Sequence, residues 1–495
     1  MQGYKDYQEK LFISFQLSSR IPEDNFYRRL KNELDLSFLR KLTKDYYGSE
    51  GQKSIDPVVF FKLMLIGYIE NLCSDRKIIE NASMRIDMLF FLDYNIDEVL
   101  PWHSTVSRTR QLYGEELFLE VFRKVLGLCI SKGMVKGNRQ AIDSAYIKSN
   151  ASMESLVEKS ILEDTSNYFN ELTENEEESS ESKNARKRNT KVSNADFMST
   201  TDPDARISKK YDRAPQLNYM GQISVDTSSH VICGAMADFA DKKDSQSLPN
   251  IVEQTRKNLQ AGNIIVQEVL ADTNYSSGDA LKYLENHNIT GYIPNFGLYK
   301  VEREGFSYFS EGDYYLCCQG VKLPFKGIRK RSDCDKKVKQ YWTLKNDCIK
   351  CPLKEYCVNK KGVKVIEDTV DKPYYDRMHQ KVHSRIGRKM KKLRSSTVEP
   401  VLGTLLGFQG MRKVYTKGIV LANKHVLLAS TAYNIKKILN CKVVNTIYQA
   451  AVGYINREKG ILKSRINSIS NQFDQIGTKL FGMERKMIGN DIKIV

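Results

Sequence analysis

Apolar residues along the chain change their period near residue 136. Before that point they fall on helical stripes. The stretch DPVVFFKLMLIGYIENL (56–72) opens with Asp56-Pro57, a helix-start signal, and SDRKIIENASMRIDMLFFL (74–92) opens with Ser74 as a candidate N-cap. HSTVSRTRQLYGEELFLEVFRKVLGLCI (103–130) continues the helical pattern. Beyond residue 136 the pattern becomes that of strands. RQAIDSAYIK (139–148) carries Ala141, Ile142, Ala145 and Ile147 around Asp143, and LNYMGQISVD and HVICGAMADF predict a hairpin turning at Thr227–Ser229. Then come a helix in DSQSLPNIVEQTRKNL, a buried strand over 263–270, a helix from about 277 to 286 and a short strand in TGYIPN. The predicted order is strand, strand, strand, helix, strand, helix, strand.

At 495 residues the chain exceeds one ordinary core, so about two to four domains are expected. Composition divides it into an N-terminal segment (1–56), a helical domain (57–135), an α/β core in two parts (136–300 and 371–440), a Cys-containing basic insertion (301–370) and a basic tail (441–495). The formal charge of +17 favours a polyanionic partner. No apolar run approaches the roughly 18 residues of a membrane span, and Met1–Tyr7 is too polar for a signal peptide, which leaves nucleic acid ahead of membrane and predicts a cytoplasmic location. An acidic, Ser-rich block from Glu154 to Glu181, turning basic at Lys183–Arg188, reads as a solvated mobile insertion within 154–195. Between Lys322 and Arg394 basic residues dominate, with Tyr341, Trp342, Tyr374 and Tyr375 interleaved, a composition suited to tracking phosphates and stacking bases.

Two carboxylates stand at strand positions. Asp143 lies on the first predicted strand and Asp272 just beyond the fourth, where a strand feeding a helix often presents a ligand-binding residue. A turn cap is the plainer role for Asp272. That strand order with two such carboxylates resembles the RNase-H-like fold, and the resemblance implies a third acid on a later helix, for which Glu399 in SSTVEPVLGTLLGF is the candidate. Ser396 and Glu399 also have capping-box spacing, which places Glu399 near a helix start with Pro400 in the first turn. Clustered acids in a basic protein repel DNA phosphate unless a cation lies between them. Oxygen ligands suit Mg²⁺ or Mn²⁺, and two such ions would support an in-line phosphodiester displacement. No phosphate-binding loop of the Walker type is present.

The segments AIDSAYIKSNAS, STTDPDARIS, LNYMGQISVD, MADFADKKDSQSL, ADTNYSSGDALKYLE, YIPNFGLYK and SSTVEPVLGTLLGFQGMRKVYTKGIVLANKHVLLASTAYNIKKIL occur in order between about 57 and 440. In these the chain resembles a DDE transposase of a bacterial insertion sequence, within the retroviral-integrase superfamily. The resemblance implies an α/β fold: an RNase-H-like mixed sheet flanked by helices, with an all-α N-terminal domain and a small inserted subdomain. It implies that Asp143, Asp272 and Glu399 are the catalytic, Mg²⁺-holding acids. It also implies cleavage at element ends, strand transfer into target DNA, double-stranded DNA partners (terminal repeats and target), a homodimer on DNA and work at the bacterial nucleoid. Related transposases often carry a Y-x2-R-x3-E-x6-K signature, but here those positions hold Lys392, Ser395 and Leu406. Arg394 is one place off, and GMRK supplies Arg412 and Lys413, so Lys392, Arg394, Arg412 and Lys413 are the candidate DNA contacts of this part. Arg108 and Arg110 are candidates in the helical domain, as in a helix-turn-helix, against the reading of ordinary surface arginines.

DCIKCPLKEYC places Cys348, Cys351 and Cys357 at spacings that suit structural Zn²⁺, against the alternative of packed reduced thiols. The resemblance favours Cys317 as fourth ligand, with Cys334 its rival. Cys73, Cys129, Cys233 and Cys441 read as core residues, and His379 and His383 as DNA-facing or surface residues. Asp202 and Asp204 read as turn residues, Asp238 and Asp241 as a strand end. Two other functions remain open: a metal-dependent nuclease of the same fold that cuts without joining, and a noncatalytic DNA-binding protein.

Overall fold

The computed structural model describes residues 16–441 except 49, 51–53, 73, 162–191, 210–213, 297, 298, 300 and 331–336, together with Lys5 and Ser14. Most of the expected acidic insertion, Cys73, Cys334 and all of the basic tail after Cys441 therefore lie outside the described residues.

Helical packing begins before the expected boundary at 57. Helix α1 (Phe26–Glu33) is capped by Asn25, and its Tyr27 hydroxyl donates to Glu70 Oε1 at 2.6 Å. Helix α2 (Pro57–Ile69) starts where Asp56 accepts from the Val58 N–H at 2.8 Å and proline fills the first turn. Phe60, Phe61, Leu63, Leu65 and Ile66 bury all its sides. The second predicted helix is broken in two, α3 (Asp75–Met84) and α4 (Ile86–Leu92), because Arg85 adopts an extended backbone and pairs with Asp87 and Glu70. Helices α5 (His103–Leu112) and α6 (Glu115–Ser131) complete the region.

The core sheet is built on β1 (Arg139–Lys148), β2 (Gln216–Asp226), β3 (Ile232–Phe239), β4 (Glu268–Leu270) and β5 (Thr290–Tyr292), in the order β3-β2-β1-β4-β5. Pairing is antiparallel from β3 through β2 to β1, then parallel to β4 and β5. This order and these directions are what an RNase-H-like fold requires. A three-residue strand, Arg206–Ser208, extends the β3 side of β2. Helix α7 (Asp244–Gln260) crosses from β3 to β4, and α8 (Gly278–Asn286) from β4 to β5. The predicted strand over 263–270 shrinks to β4. Asn263 takes a left-handed φ of 54° where α7 ends, Ile265 is exposed, and only the last three residues run beside β1.

An edge strand needs its outward backbone groups satisfied. On β3, Asn434 accepts from the Ile232 N–H at 2.9 Å and donates to the Ile232 carbonyl at 2.8 Å, Asn423 accepts from Ala237 N–H, and Gln254 accepts from Ala235 N–H. Asn423 and Asn434 belong to a helix over 419–441. Its entry turn is fixed by the two aspartates of the Asp202–Asp204 turn. Gly418, at φ +90°, donates to Asp202 Oδ1 at 3.0 Å, and Ile419 donates to Asp204 Oδ2 at 2.9 Å. The same helix holds the N-terminal region: buried Lys424 donates to the carbonyls of Tyr113 (2.5 Å) and Arg110 (3.0 Å).

Between β5 and the next core helix lies an inserted antiparallel sheet of β6 (Phe306–Phe309), β7 (Tyr314–Cys317), β8 (Lys322–Lys330), β9 (Lys337–Trp342) and β10 (Val365–Thr369), ordered as numbered. Tyr315, Leu323, Tyr341 and Ile366 form its core. Tyr341, expected among base-stacking aromatics, is 1% exposed and so serves packing. Helices α9 (Lys372–His383) and α10 (Arg385–Phe408) return the chain to the main sheet.

Candidate active site

Register places the two aspartates. The parallel pairs of β1 and β4 run Arg139 to Glu268, Gln140 to Val269 and Ala141 to Leu270, and stop there. Asp143 is two residues past Ala141, and Asp272 two past Leu270. Both therefore stand at one height, with the same side-chain parity, on neighbouring strands running the same way. Helix α10 packs across β1 on that side and carries Glu399.

Asp143 accepts from the Ser144 N–H at 2.8 Å and, through Oδ2, from Arg394 Nη1 at 2.8 Å. Burial pushes its carboxyl up, and the Ser144 N–H and the guanidinium act against that. Asp272 accepts from the Asn274 N–H at 3.0 Å and caps the turn Thr273–Tyr275, so the turn-cap role is real. It does not use up the carboxylate. Burial, then the charges of Asp143 and Asp244, push Asp272 up to about 6. Glu399 is 59% exposed and accepts from Arg394 Nη2 at 3.2 Å. Arg394 thus bridges the first and third acids.

Two expectations change here. Glu399 is not near a helix start: α10 begins at Ser384, whose side chain accepts from the Gly387 N–H, so Glu399 and Pro400 lie deep within the helix. Ser396 instead donates to the Leu393 carbonyl, which removes the capping-box reading. Arg394 was a candidate DNA contact, yet it is only 15% exposed and turned onto Asp143 and Glu399. Beside it, a cavity of about 120 Å³ is lined by Asp272, Tyr292, Lys391 and Arg394 among others.

The other basic candidates separate clearly. Arg110 is paired with Asp75 through both guanidinium nitrogens and is 14% exposed, so it serves packing rather than a free contact. Arg108, Lys392 and Arg412 are exposed. Arg412 and Lys413 join Lys148 on the wall of a cleft of about 730 Å³ between the helical region and the core, where Lys148 and Lys413 form a parallel bridge.

In the insertion, Cys348 is buried and Cys317, Cys351 and Cys357 partly so. Burial raises the Cys357 thiol, and Cys348, Cys351 and Cys317 are near enough to add to that shift. Cys317 Sγ accepts from the Val321 N–H at 3.3 Å. The rings of His379 and His383 stack with centroids 3.8 Å apart. Among the described residues no three or more His, Cys, Asp or Glu side chains are already gathered as a metal-holding group. For the acids the donor chemistry nonetheless fits a divalent cation: all ligands are oxygen, and burial followed by the neighbouring acids' charges has raised Asp272. For the thiols the fit lies in the donor set, four free cysteines of which one is buried and three partly so. Asp244, at the start of α7, went unsuspected in the sequence, because nothing local distinguishes it from a helix-start aspartate. No described helix is long and apolar enough to cross a membrane.

Residues 15–112 match the family described as "Transposase domain (DUF772)", and residues 316–439 match "Transposase DDE domain". No curated protein matches. Among solved structures, a piggyBac transposase synaptic complex with hairpin DNA is similar at 9% identity and a TM-score of 0.28, covering 83% of this chain and 73% of that one. A Mos1 transposase paired-end complex with the left transposon end is similar at 10% identity and a TM-score of 0.16, covering 51% and 64%. Both TM-scores lie well under 0.5, and the family assignment rests on the two domain matches.

Proposed function

The chain is a DDE transposase by its two matched domains, and from that premise we propose that Asp143, Asp272 and Glu399 are its catalytic acids, cutting DNA at the ends of an element and joining those ends to target DNA. The observation that carries the assignment of residues is the β1–β4 register, which sets Asp143 and Asp272 level on one side of the sheet, with Glu399 tied to Asp143 through Arg394. A DDE domain implies dependence on a divalent metal. With its oxygen-only donors we assign that metal as Mg²⁺, or Mn²⁺ in its place, held by the three acids. When bound, it supplies Lewis-acid stabilisation of the attacking and leaving oxygens at phosphorus.

The chain's own residues do the rest. Exposed Arg108, Lys392 and Arg412, with Lys413 on the cleft wall, offer positive charge that holds the phosphate backbone without reading sequence. Arg394 keeps the carboxylates of Asp143 and Glu399 apart from each other's charge while the phosphate is absent. Double-stranded DNA is the partner, as terminal repeats and as target, which places the protein's work at the nucleoid. Joining needs two ends held together, so we infer a homodimer on DNA. In the insertion, Cys317, Cys348, Cys351 and Cys357 are the ligands we assign to a structural Zn²⁺.

The test is a joining assay with labelled DNA ends, plasmid target and Mg²⁺ or Mn²⁺. Asp272→Asn should lower cleavage by about a thousandfold while end binding in a mobility-shift assay is kept. Retained cleavage removes Asp272 from the site. Cleavage without joined product by the unaltered protein favours the nuclease reading, and tight binding with no cleavage favours the noncatalytic one.

A further inference from the structure

Strand pairing stops two residues short of both aspartates, so no β1–β4 backbone bond fixes the distance between Asp143 and Asp272. Something else must hold the two segments together at that height. Adjacent strand residues point to opposite faces, so Ser144 lies behind the sheet when Asp143 lies in front. Its cross-strand partner on β2 is Gln222, on the same rear face. There a continuous chain of hydrogen bonds runs from one acid-bearing segment to the other. Ser144 Oγ donates to Asp244 Oδ1 at 2.6 Å, and Gln222 Nε2 donates to that same oxygen at 3.0 Å. Gln222 Oε1 accepts from the Tyr275 hydroxyl. Tyr275 closes the short turn that Asp272 opens, its N–H bonding back to the Asp272 carbonyl.

We propose that Asp244, Gln222 and Tyr275 are positioning residues that set the separation of Asp143 and Asp272 from behind the sheet. The central link, from Tyr275 to Gln222, is made where it cannot be exchanged for water, because both residues are fully buried. Gln222 is the joint, spending its donor on Asp244 and its acceptor on Tyr275, so an apolar side chain there opens the chain in the middle. Asp244 is the fixed end, held at the first turn of α7, where a carboxylate also faces the helix N-terminus. Its part is to accept two hydrogen bonds, for which a neutral amide oxygen serves as well as a carboxylate. The burial of Tyr275 leaves its hydroxyl no alternative acceptor in solvent.

This inference rests on Asp143 and Asp272 being the metal-holding acids, and the experiment separates the two ideas. Full-length protein would be titrated with Mn²⁺ alone, read by electron paramagnetic resonance, and end cleavage measured in parallel. Gln222→Leu, Tyr275→Phe and Asp244→Ala should each weaken Mn²⁺ binding by about 10- to 100-fold, lowering kcat with KM for the DNA end unchanged. The Gln222→Leu/Tyr275→Phe pair should be no worse than either alone, because both break one chain. Asp244→Asn should restore the affinity that Asp244→Ala loses. Hydrogen exchange on the metal-free protein gives a readout that needs no metal: Tyr275→Phe should speed exchange at residues 271–274 by about tenfold while leaving β1 and β2 unchanged. If Asp272→Asn keeps full Mn²⁺ affinity, the assignment of the acids fails, and the exchange result still decides the inference. Unchanged exchange in Tyr275→Phe overturns it, as does Asp244→Asn being as damaging as Asp244→Ala, since the charge itself would then be what matters.

Discussion

The two sheets of this molecule are held in different ways. In the core sheet, Ala141, Ile142, Ile147, Ile223, Val225 and Ile232 are all fully buried, and β2 is covered along nearly its whole length. Aliphatic burial of that extent stabilises a sheet without help. The inserted sheet has an apolar cluster of four buried side chains, two of them tyrosines whose hydroxyls end on carboxylates: Tyr341 donates to Asp313 at 2.6 Å and Tyr315 to Asp368. Around them Ile328, Leu344, Ile349 and Tyr356 are exposed. A sheet with so small a core needs a staple, and the four cysteines lie beside it. The core can carry chemistry on fixed strands; the insertion must first be held together.

Removing the zinc we assign to the four cysteines is the strongest way to break that contrast. A structural Zn²⁺ contributes apparent folding energy of about 10 kcal/mol or more. Cys351→Ser, or a chelator, should therefore abolish hydrogen-exchange protection of β6 to β10 and reduce the assigned zinc, measured by atomic emission, from an expected one per chain to none. Protection of β1, β2 and β3 should persist. An insertion that keeps its protection in chelator would show the thiols to be packed and reduced, with no metal role.

Side-chain truncation sharpens the comparison at smaller scale. Ile232→Ala removes a fully buried aliphatic group from β3 and should cost about 3 kcal/mol. Tyr341→Phe keeps the ring and removes one hydrogen bond to Asp313, which still accepts from Tyr308 and from Lys339, so it should cost about 1 kcal/mol. Region-resolved hydrogen exchange measures both. A larger loss for Tyr341→Phe than for Ile232→Ala would reverse the account of what holds each sheet.

The same contrast governs what could be read in advance. The position of Asp143 on a strand and of Asp272 just past another was legible because strand period and strand ends are local properties, and the parallel register then sets the two level. The edge bonds from Asn423 and Asn434 to β3 were not, since their partners lie 186 and 202 residues away. Arg110 looked like a DNA contact until Asp75, 35 residues earlier, proved to take its charge. Glu399 was singled out but wrongly set near a helix start, because S-x-x-E is a local pattern and the true N-cap, Ser384, has a glycine where the acid would stand. Tyr341 read as stacking surface, since aromatic spacing says nothing about which ring is buried. Asp244 and Gln222 carried no signal at all: their roles exist only in the bonds they make to other elements.

Acidification separates the metal site proposed for the core from the one proposed for the insertion at the smallest scale. Asp272 is raised to about 6 from its ordinary value, by burial and by the charges of Asp143 and Asp244. A raised carboxyl holds its proton more tightly in the fold than in the unfolded chain, so this group adds stability to the metal-free protein as pH falls from 7 towards 4, and that contribution is lost as pH rises through 6. Cation binding has the opposite sign, because the proton must leave before the carboxylate can serve as a ligand. Mn²⁺ affinity should thus be about half its pH 8 value at pH 6 and continue down below it. Asp143→Asn removes one of the charges that raise Asp272, so the inflection should move to lower pH even though overall affinity drops. Paramagnetic resonance of Mn²⁺ is blind to zinc in the insertion and reads the core alone. An inflection that stays near 6 in Asp143→Asn would mean that burial, and not the neighbouring acid, sets the proton affinity of Asp272.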